Sequence, residues 1–285
     1  GIPISYSVGT TLSFGPSGAY NPESEYFIYE CDEYDRNFLQ FHPALSLLTS
    51  IDYDHPDTYP TEEEYREAFR QYITQSEHTI AWKSDLDYIQ QPLNDTIWAL
   101  NFVEAHPFQL PGAHTRRNAT LVQKALEYLG LGDAITRAKA LESFPGTDRR
   151  FETLDANLVT DYGHHPEEIA ATLQMAKELA SKVVLIYQPH QNVRQHEIKD
   201  NYTNEVFKDA DEVYWVPTYL TRENADQSVL SPEELSQHIT NTPVHYTELN
   251  DTLWQTIKKH QAAGDLVLLM GAGTIDSWAR KQLTA

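Results

Sequence analysis

Two acidic loops in this sequence carry side chains of the kind that bind hard cations. Residues 30–35 (ECDEYD) and residues 52–57 (DYDHPD) each follow a segment that is typical of a β-strand. Carboxylates and a nearby imidazole can hold a divalent cation whose remaining ligands are phosphate oxygens. Acidic loops are also common as plain solvated surface, so these residues alone leave a metal site and a solvated loop equally open.

Two further clusters contain histidine and arginine. Residues 161–166 (DYGHHP) open a predicted helix, and residues 188–194 (QPHQNVR) follow an apolar strand. Paired histidines beside an aspartate can be metal ligands, proton carriers or anion contacts, and a capped helix start with packed histidines explains them equally well. Their spacing differs from the HExxH pattern, which disfavours zinc. A strand that runs into a loop with His190 and Arg194 is typical of an anion contact.

Basic pairs stand out in a chain this acidic. Residues 116–117 and 149–150 are Arg-Arg pairs. Such arginines usually form surface salt bridges that contribute little to stability, but here both pairs fall where a cleft is expected. The 285 residues contain no GxxxxGK[ST] phosphate-binding loop. The GAG at residues 271–273 matches a dinucleotide fingerprint only weakly, because Asp276 occupies the place of the third glycine.

Alternating strands and helices must hold these clusters in place. Largely apolar strands are predicted at residues 25–31, 44–51, 182–187, 212–216 and 265–270. Periodicity and capping residues predict helices that start near residues 61, 115, 133, 166, 231 and 251. This order favours an α/β fold with a doubly wound sheet, in which ligands bind at the carboxyl ends of the strands. A Pro-Gly break at residues 145–146 predicts two domains, residues 1–145 and 146–285.

The composition limits the possible partners. A formal net charge of −21 repels nucleic-acid phosphates, so a nucleic-acid-binding surface is not expected. No stretch approaches the length of a membrane span, and the N-terminus does not resemble a signal peptide. A single cysteine is consistent with a reducing, cytoplasmic compartment. The missing initiator Met suggests a trimmed chain with a native start further upstream.

In order along the chain, the motifs resemble those of the Mur ligases. They are ECDEYDRNF, DYDHPDTY, LPGAHTRRNA, FPGTDRRFE, TDYGHHPEEI, YQPH and DLVLLMGAG, and they run from Glu30 to Gly273. Each motif is weak alone, but DYGHHP beside FxGxxRRF and QPH is a specific combination. The resemblance implies that residues 1–145 are part of a central ATP-binding domain. Residues 146–285 are then a C-terminal Rossmann-like ligase domain, and an N-terminal UDP-sugar-binding domain is missing.

The resemblance also implies a reaction: ATP-dependent joining of L-alanine to UDP-N-acetylmuramate through an acyl phosphate, in peptidoglycan precursor synthesis. ATP and Mg²⁺ are the implied cofactors. Without a phosphate loop, the chain is expected to be inactive alone. Two alternatives stay open: a relative such as the murein tripeptide recycling ligase, and a non-catalytic nucleotide-binding module of the same fold.

Site residues carry over motif by motif. Glu30 and His55 match magnesium ligands, and we expect them to converge at neighbouring strand ends, since phosphoryl transfer needs a cation that bridges phosphates. The aspartates of both loops are candidates to support them: Asp32, Asp35, Asp54 and Asp57. Nucleotide contacts match His114 and Asn118 near the adenine, Arg150 near the nucleotide and Asp161 at the ribose.

The catalytic end of the cleft matches three further residues. His164, His190 and Arg194 correspond to positions that line the acyl-acceptor and product end. Two residues depart from the family pattern: Gln191 replaces the Arg that usually follows QPH, and Thr115 replaces an Asn in the GxH segment. The first change removes one anion contact, which puts the geometry of the substrate carboxylate in doubt.

Overall fold

A computed structural model describes residues 2–55, 58–102 and 107–284 of the chain. The backbone divides into two compact units, one formed by residues 1–110 and 114–145 and the other by residues 111–113 and 146–285. Within the described ranges, none of the helices combines the length and hydropathy that a membrane crossing requires. The assignment of the two units as functional domains stays a prediction.

The first unit contains two three-stranded sheets. Its strands are β1 (Ile4–Ser7), β2 (Gly18–Ala19), β3 (Tyr26–Tyr29), β4 (Leu45–Leu48), β5 (His78–Trp82) and β6 (Ile97–Leu100). One sheet has the order β2-β1-β3, and the other, β4-β5-β6, is parallel throughout. The strands that precede the two acidic loops, β3 and β4, therefore lie in different sheets. The expectation that they are neighbours is wrong, because β3 pairs with β1 whereas β4 pairs with β5.

Helices complete the first unit. They are a 3₁₀ segment (Tyr34–Gln40), α1 (Glu62–Gln75), α2 (Lys83–Tyr88), α3 (Ala113–Tyr128) and α4 (Ala134–Glu142). Helix α1 starts as its sequence predicts, because the Thr61 side chain accepts a hydrogen bond from the Glu64 main-chain N–H at 3.2 Å. Its buried stripe includes Tyr65, Phe69 and Ile73, at helical spacing. This stripe packs in one cluster with residues of β4 and the 3₁₀ segment.

The second unit is built on one six-stranded sheet. Its strands are β7 (Glu152–Asp155), β8 (Leu158–Asp161), β9 (Val183–Tyr187), β10 (Glu212–Trp215), β11 (Val244–Tyr246) and β12 (Leu266–Met270). The order is β11-β10-β9-β12-β8-β7, and all neighbours are parallel except β7, which runs antiparallel to β8. This arrangement confirms the predicted α/β class and doubly wound sheet.

Helices cover both faces of that sheet. They are α5 (Pro166–Leu179), α6 (Asn192–Ile198), α7 (Pro232–Leu235), α8 (Asp251–Ala263) and α9 (Ile275–Thr284), with a 3₁₀ turn at Lys199–Asn201. Strand β9 is buried along its whole length, with Val183, Leu185 and Tyr187 in one core cluster and Val184 and Ile186 in the other. Each such aliphatic side chain contributes about 1.5–3 kcal/mol by leaving water. The loops at the strand ends therefore rest on a rigid base.

Candidate functional site

Three loops start at one level at the carboxyl edge of the six-stranded sheet. Met270, the last residue of β12, is in register with Asp161 of β8 on one side and with Tyr187 of β9 on the other. The chain leaves β9 toward β10 and β11, whereas β12 lies on the opposite side of β9. The crevice between β9 and β12 is therefore the point where the strand order reverses, and open α/β sheets bind ligands there.

Glycines let the loops after β9 and β12 approach closely. Gly271 has a φ of +146°, and a Cβ on it would lie 2.4 Å from the Gln188 carbonyl oxygen. A Cβ on Gly273 would lie 2.6 Å from the Gln188 side-chain oxygen. That same oxygen accepts a hydrogen bond of 2.9 Å from the main-chain N–H of Ile275, the first residue of α9. The weak GAG motif is thus explained by packing between loops.

Asp161 shapes the loop that carries the paired histidines. Its two carboxylate oxygens accept hydrogen bonds from the main-chain N–H groups of Phe151 at 2.9 Å and Gly163 at 2.8 Å. Burial raises the pKa of this carboxyl, while those two hydrogen bonds and the nearby Arg150 act in the opposite direction. A Cβ on Gly163 would lie 2.4 Å from Met270 Cε and 2.9 Å from an Asp161 carboxylate oxygen, so a larger residue would displace these side chains. The observed role of Asp161 is to hold this loop, and the ribose contact stays a prediction.

His164 and Arg194 contact each other directly. The imidazole Nε2 of His164 bonds to a guanidinium nitrogen of Arg194, which lies on α6. The other imidazole nitrogen, Nδ1, lies 3.5 Å from a carboxylate oxygen of Glu168. That carboxylate also accepts the main-chain N–H groups of His164 at 2.8 Å and His165 at 3.0 Å. The structure thus brings the predicted residues His164 and Arg194 together, and it adds Glu168, which lies at the third position of α5.

The charge of Glu168 is set by these neighbours. Burial alone would raise its pKa, but His164, the two main-chain N–H groups and Arg150 together lower it. Arg150 lies 3.8 Å from Glu168 and is half exposed. The capping-box spacing from His165 to Glu168 is the sequence signal that could have found this residue.

His190 is the neutral member of the cluster. Its ring lies 5.7 Å from that of His164 and stacks on Tyr219 at 5.7 Å. Burial and the neighbouring His164 and Arg194 lower the pKa of His190 to about 4. Its Nδ1 is buried and has no hydrogen-bond partner in the part of the chain that the structure describes. At neutral pH this imidazole is therefore uncharged and can accept a proton or a hydrogen bond.

The loop after β10, which no sequence motif marks, makes three contacts with the site. Besides stacking on His190, Tyr219 accepts a hydrogen bond from the main-chain N–H of Gln191 at 2.9 Å. The Glu223 carboxylate accepts from the main-chain N–H of Asn192 at 3.0 Å, at the start of α6. No periodicity marks these residues, which explains why sequence reasoning missed them.

Of the arginine pair at residues 149–150, Arg149 is the one held in place. Its guanidinium donates to the Gly271 carbonyl oxygen at 2.9 Å and lies 4.7 Å from the centre of the Tyr162 ring. Arg150, the predicted nucleotide contact, is 5.5 Å from the same ring and more exposed. Arg149 therefore joins the loops after β8 and β12, and Arg150 is freer to meet a ligand.

The other two predicted nucleotide contacts lie on α3 of the first unit. His114 is half-buried and Asn118 is exposed. One turn of this helix also carries Arg117, whose guanidinium lies 4.7 Å from the centre of the Trp82 ring. Burial raises the pKa of the Asp85 carboxyl to about 6. The positive charge of Arg117 acts in the opposite direction and lowers that pKa. His114 and Asn118 are thus in the first unit, whereas Arg150 and Asp161 are in the second.

The two predicted metal ligands in the acidic loops, Glu30 and His55, contact different neighbours. Glu30 accepts a hydrogen bond from the Gly9 main-chain N–H at 3.0 Å. His55 lies 3.8 Å from Glu33 and 3.6 Å from Asp54. Among the described residues, no three His, Cys, Asp or Glu side chains are grouped to hold a metal. A site with two protein ligands completed by phosphates remains a prediction, and Asp57 lies outside the described residues.

Glu33 is a neighbour of His55 that the sequence did not single out. Burial raises the pKa of its carboxyl, although His55 acts to lower it. The Tyr65 hydroxyl lies 3.5 Å from the Glu33 carboxylate and donates to it. Nothing in the loop sequence distinguishes Glu33 from the acidic residues around it, since its burial depends on α1.

Comparisons with known proteins agree with this geometry. Residues 149–273 match the family described as Mur ligase, glutamate ligase domain. A UDP-N-acetylmuramate–L-alanine ligase of Streptococcus thermophilus is 29% identical over 310 residues, which cover 97% of this chain and 67% of that protein. The solved UDP-N-acetylmuramate–alanine ligase of Thermotoga maritima matches with a TM-score of 0.71 and 22% identity, over 99% of this chain and 68% of the other. A murein peptide ligase of Psychrobacter arcticus matches with a TM-score of 0.58 and 19% identity, over 99% and 71% of the two chains.

The fold and these matches point to one class: the chain is similar to the Mur ligases, and residues 149–273 match their glutamate ligase domain. Within that class it is similar to UDP-N-acetylmuramate–L-alanine ligases. It spans about two thirds of the length of those relatives, 67% of the one from Streptococcus thermophilus. The resemblance predicted from the motifs is thereby confirmed.

Proposed function

We propose that the protein joins L-alanine to UDP-N-acetylmuramate. The observation that carries the proposal is the cluster of His164, Arg194 and His190 at the switch point of a Mur-ligase sheet. Relatives with that name match nearly the whole chain, at 29% identity. In this reaction the muramate carboxylate takes the terminal phosphoryl group of ATP and releases ADP. The amine of alanine then attacks the acyl carbon, and phosphate leaves as the amide forms.

The site residues suit the anionic end of that reaction. Arg194 supplies a guanidinium that can pair with a carboxylate or phosphate in two-pronged geometry. The neutral His190 can accept a hydrogen bond from the incoming amine, since its pKa of about 4 keeps it uncharged at neutral pH. Glu168 holds His164 from the other side, at 3.5 Å. These roles rest on the chemistry of the side chains and on the motif match.

ATP and Mg²⁺ fit the remaining residues in part. The exposed Glu30 carboxylate and the half-buried His55 are donors of the kind a magnesium–phosphate complex uses. Arg150 is exposed enough to meet a phosphate, and Asn118 is exposed enough to meet a base. The metal would neutralise phosphate charge, and the protein groups would orient it.

The polypeptide of residues 1–285 is proposed to be inactive by itself. Phosphoryl transfer depends on positioning and charge neutralisation, which a phosphate loop provides through its main-chain N–H groups and a lysine. No GxxxxGK[ST] motif occurs in these 285 residues. Weak, magnesium-dependent nucleotide binding is the most that we expect from them.

A second candidate substrate is a murein peptide, as used by a murein peptide ligase. The residue that bears on this alternative is Gln191, which stands where the Mur ligase pattern usually has an arginine. Loss of that cation alters how an anionic group is held beside His190. A non-catalytic module of the same fold is the third possibility.

One assay separates the three. Phosphate release by the full-length protein is measured with ATP and UDP-N-acetylmuramate, adding either L-alanine or the murein tripeptide. Turnover with L-alanine supports the proposal, and turnover with the tripeptide alone replaces it with the recycling reaction. No turnover with either acceptor favours the non-catalytic module. Release at the full-length rate by residues 1–285 alone would contradict the predicted inactivity.

A further inference from the structure

Three buried side chains connect the main chain of His164 to that of His190. The Tyr187 hydroxyl donates to the His164 carbonyl oxygen at 3.0 Å and lies 2.9 Å from the Tyr202 hydroxyl. Tyr202 donates to Gln195 Oε1 at 2.7 Å, and Gln195 Nε2 donates to the His190 carbonyl oxygen at 3.0 Å. All three side chains are fully buried. A continuous chain of polar contacts, each at hydrogen-bond distance, therefore runs beneath the site from one histidine to the other.

The protons of this chain are shared. Burial raises the pKa of both hydroxyls, so Tyr187 and Tyr202 stay protonated and each has one proton to donate. The two protons serve three contacts: one to His164, one to Gln195 and the one between the hydroxyls. Removing a hydrogen-bonding group from any of the three side chains therefore changes how the remaining protons are shared, as is expected for buried polar networks at low dielectric.

The chain is also held rigidly by the core. The Trp215 ring packs edge-to-face against Tyr187 at 5.0 Å and against Tyr202 at 5.3 Å. Tyr187 ends β9, and Gln195 lies on α6 directly after Arg194. The positions of both histidine loops and of the Arg194 helix are thus tied to one packed cluster.

We propose that Tyr187, Tyr202 and Gln195 are positioning residues that fix the spacing of His164, His190 and Arg194 for amide formation, an inference that rests on the proposed function. Both tyrosines could have filled their core positions as phenylalanine. Burying two hydroxyls and an amide carries a desolvation cost that apolar side chains avoid. What the polar groups add is a defined distance between two loops that carry reactive side chains.

The test removes one hydrogen-bonding group at a time from the full-length protein. The variants are Tyr187→Phe, Tyr202→Phe, Gln195→Met and the double variant Tyr187→Phe with Gln195→Met. Tyr214→Phe is the matched control, because its hydroxyl donates to Glu212 at 2.9 Å on the opposite face of the same sheet. The readouts are kcat and KM with the acceptor found active, and the His190 imidazole pKa by NMR of ring-labelled protein.

We expect kcat to fall on the order of tenfold or more in each single variant, with a small change in KM for ATP. The double variant should be no slower than the worse single one, because both cut the same chain. The pKa of His190 should rise toward its ordinary value as His164 and Arg194 move away from it. Tyr214→Phe should change neither readout.

Folded variants with unchanged kcat and an unchanged His190 pKa would overturn the inference and leave these residues a role in stability alone. If Tyr187→Phe does not fold, Gln195→Met, which keeps the aromatic core intact, decides. If the wild-type protein proves inactive, the proposed function has failed. The NMR readout still tests the positioning chain in that case, and an unchanged pKa of His190 would then refute it.

Discussion

The two edges of the six-stranded sheet carry the same residue types in opposite electrostatic settings. At the amino edge, His260 lies 2.8 Å from Asp265, and His245 lies 3.0 Å from Glu212. Lys182 adds a cation 3.0 Å from Asp265. At the carboxyl edge, His190 has the cation Arg194 and the imidazole of His164 as its neighbours, and its pKa falls to about 4.

This difference separates a structural cluster from a reactive one. At the amino edge, carboxylates act as hydrogen-bond acceptors for His245 and His260. At the carboxyl edge, His190 lies near Arg194 in a partly buried loop, so it stays neutral and can accept a hydrogen bond from a ligand. The residue types in the two clusters do not distinguish them, whereas the charged groups that contact each histidine do.

The largest effect is expected from Arg194→Ala at the carboxyl edge. Removal of its guanidinium takes away the charge next to His164 and His190, so kcat/KM in the full-length protein should fall about 10²-fold or more. Lys182→Ala removes a cation at the amino edge and should leave kcat/KM near the wild-type value. Steady-state phosphate release measures both. Equal losses in the two variants would mean that the edges do not differ in function.

A large loss of stability is expected when a side chain is added between the carboxyl-edge loops. Gly271→Ala should lower the free energy of unfolding by about 3 kcal/mol or more, because its Cβ would meet the Gln188 backbone at 2.4 Å. Gly264 also has a positive φ, +84°, but no atom lies within 4 Å of its Cβ position. Gly264→Ala should cost only about 1 kcal/mol. Urea denaturation compares them, and similar losses would refute the close approach of these loops.

A pH-dependent effect is expected at the amino edge. Burial would raise the pKa of Asp265, but hydrogen bonds from His260 and Lys182 lower it overall. A carboxyl with a lower pKa in the folded state stabilises the fold above its unfolded pKa, and this stabilisation is lost as the pH falls through the folded value. Asp265→Asn should therefore cost about 2 kcal/mol at pH 7. The difference from wild type should shrink between about pH 5 and pH 3.

Unfolding free energies at both ends of that range provide the measurement. If the difference in unfolding free energy between wild type and Asp265→Asn grows as the pH falls, His260 and Lys182 do not stabilise the charged form of Asp265.

The smallest effect is expected at an exposed pair on the same side of the protein. Lys258 lies 3.1 Å from Asp155, and both side chains are largely exposed. Solvent screens such pairs, so Lys258→Ala should produce no resolvable change in the urea midpoint. A clear destabilisation would indicate that the contact of Lys258 with the Trp254 ring, at 4.7 Å, matters more than the ion pair.

Local sequence patterns predicted about half of the elements of the second unit and missed β7, β8, β11, α6 and α9. The runs KVVLIY, EVYWV and DLVLLM became β9, β10 and β12, because strands buried on both faces must be apolar at nearly every position. The start of α5 at Pro166 and the cap of α7 at Ser231 follow from chemistry within one helical turn. His164, His190 and Arg194 were predicted as site residues because they match family motifs and lie next to a predicted strand or helix, and their catalytic roles stay predictions.

Pairing between distant segments was not accessible in the same way. The neighbours of β3 and β4 were predicted wrongly, because strand order depends on crossovers that no local pattern encodes. Glu33 was missed for the same reason, since the side chains that surround it, Tyr65 and His55, come from other parts of the chain.

The amino-acid sequence by itself determined the α/β class, the apolar strands, the helix caps and the family motifs, all of which depend on spacings of a few residues. Only the tertiary structure decided which charges face one another. It set the register that brings Asp161, Tyr187 and Met270 to one level, and it joined Tyr187, Tyr202 and Gln195 into one chain. The physical reason is that burial and electrostatic shifts arise from groups remote in sequence, and their sign is fixed only when the fold brings those groups together.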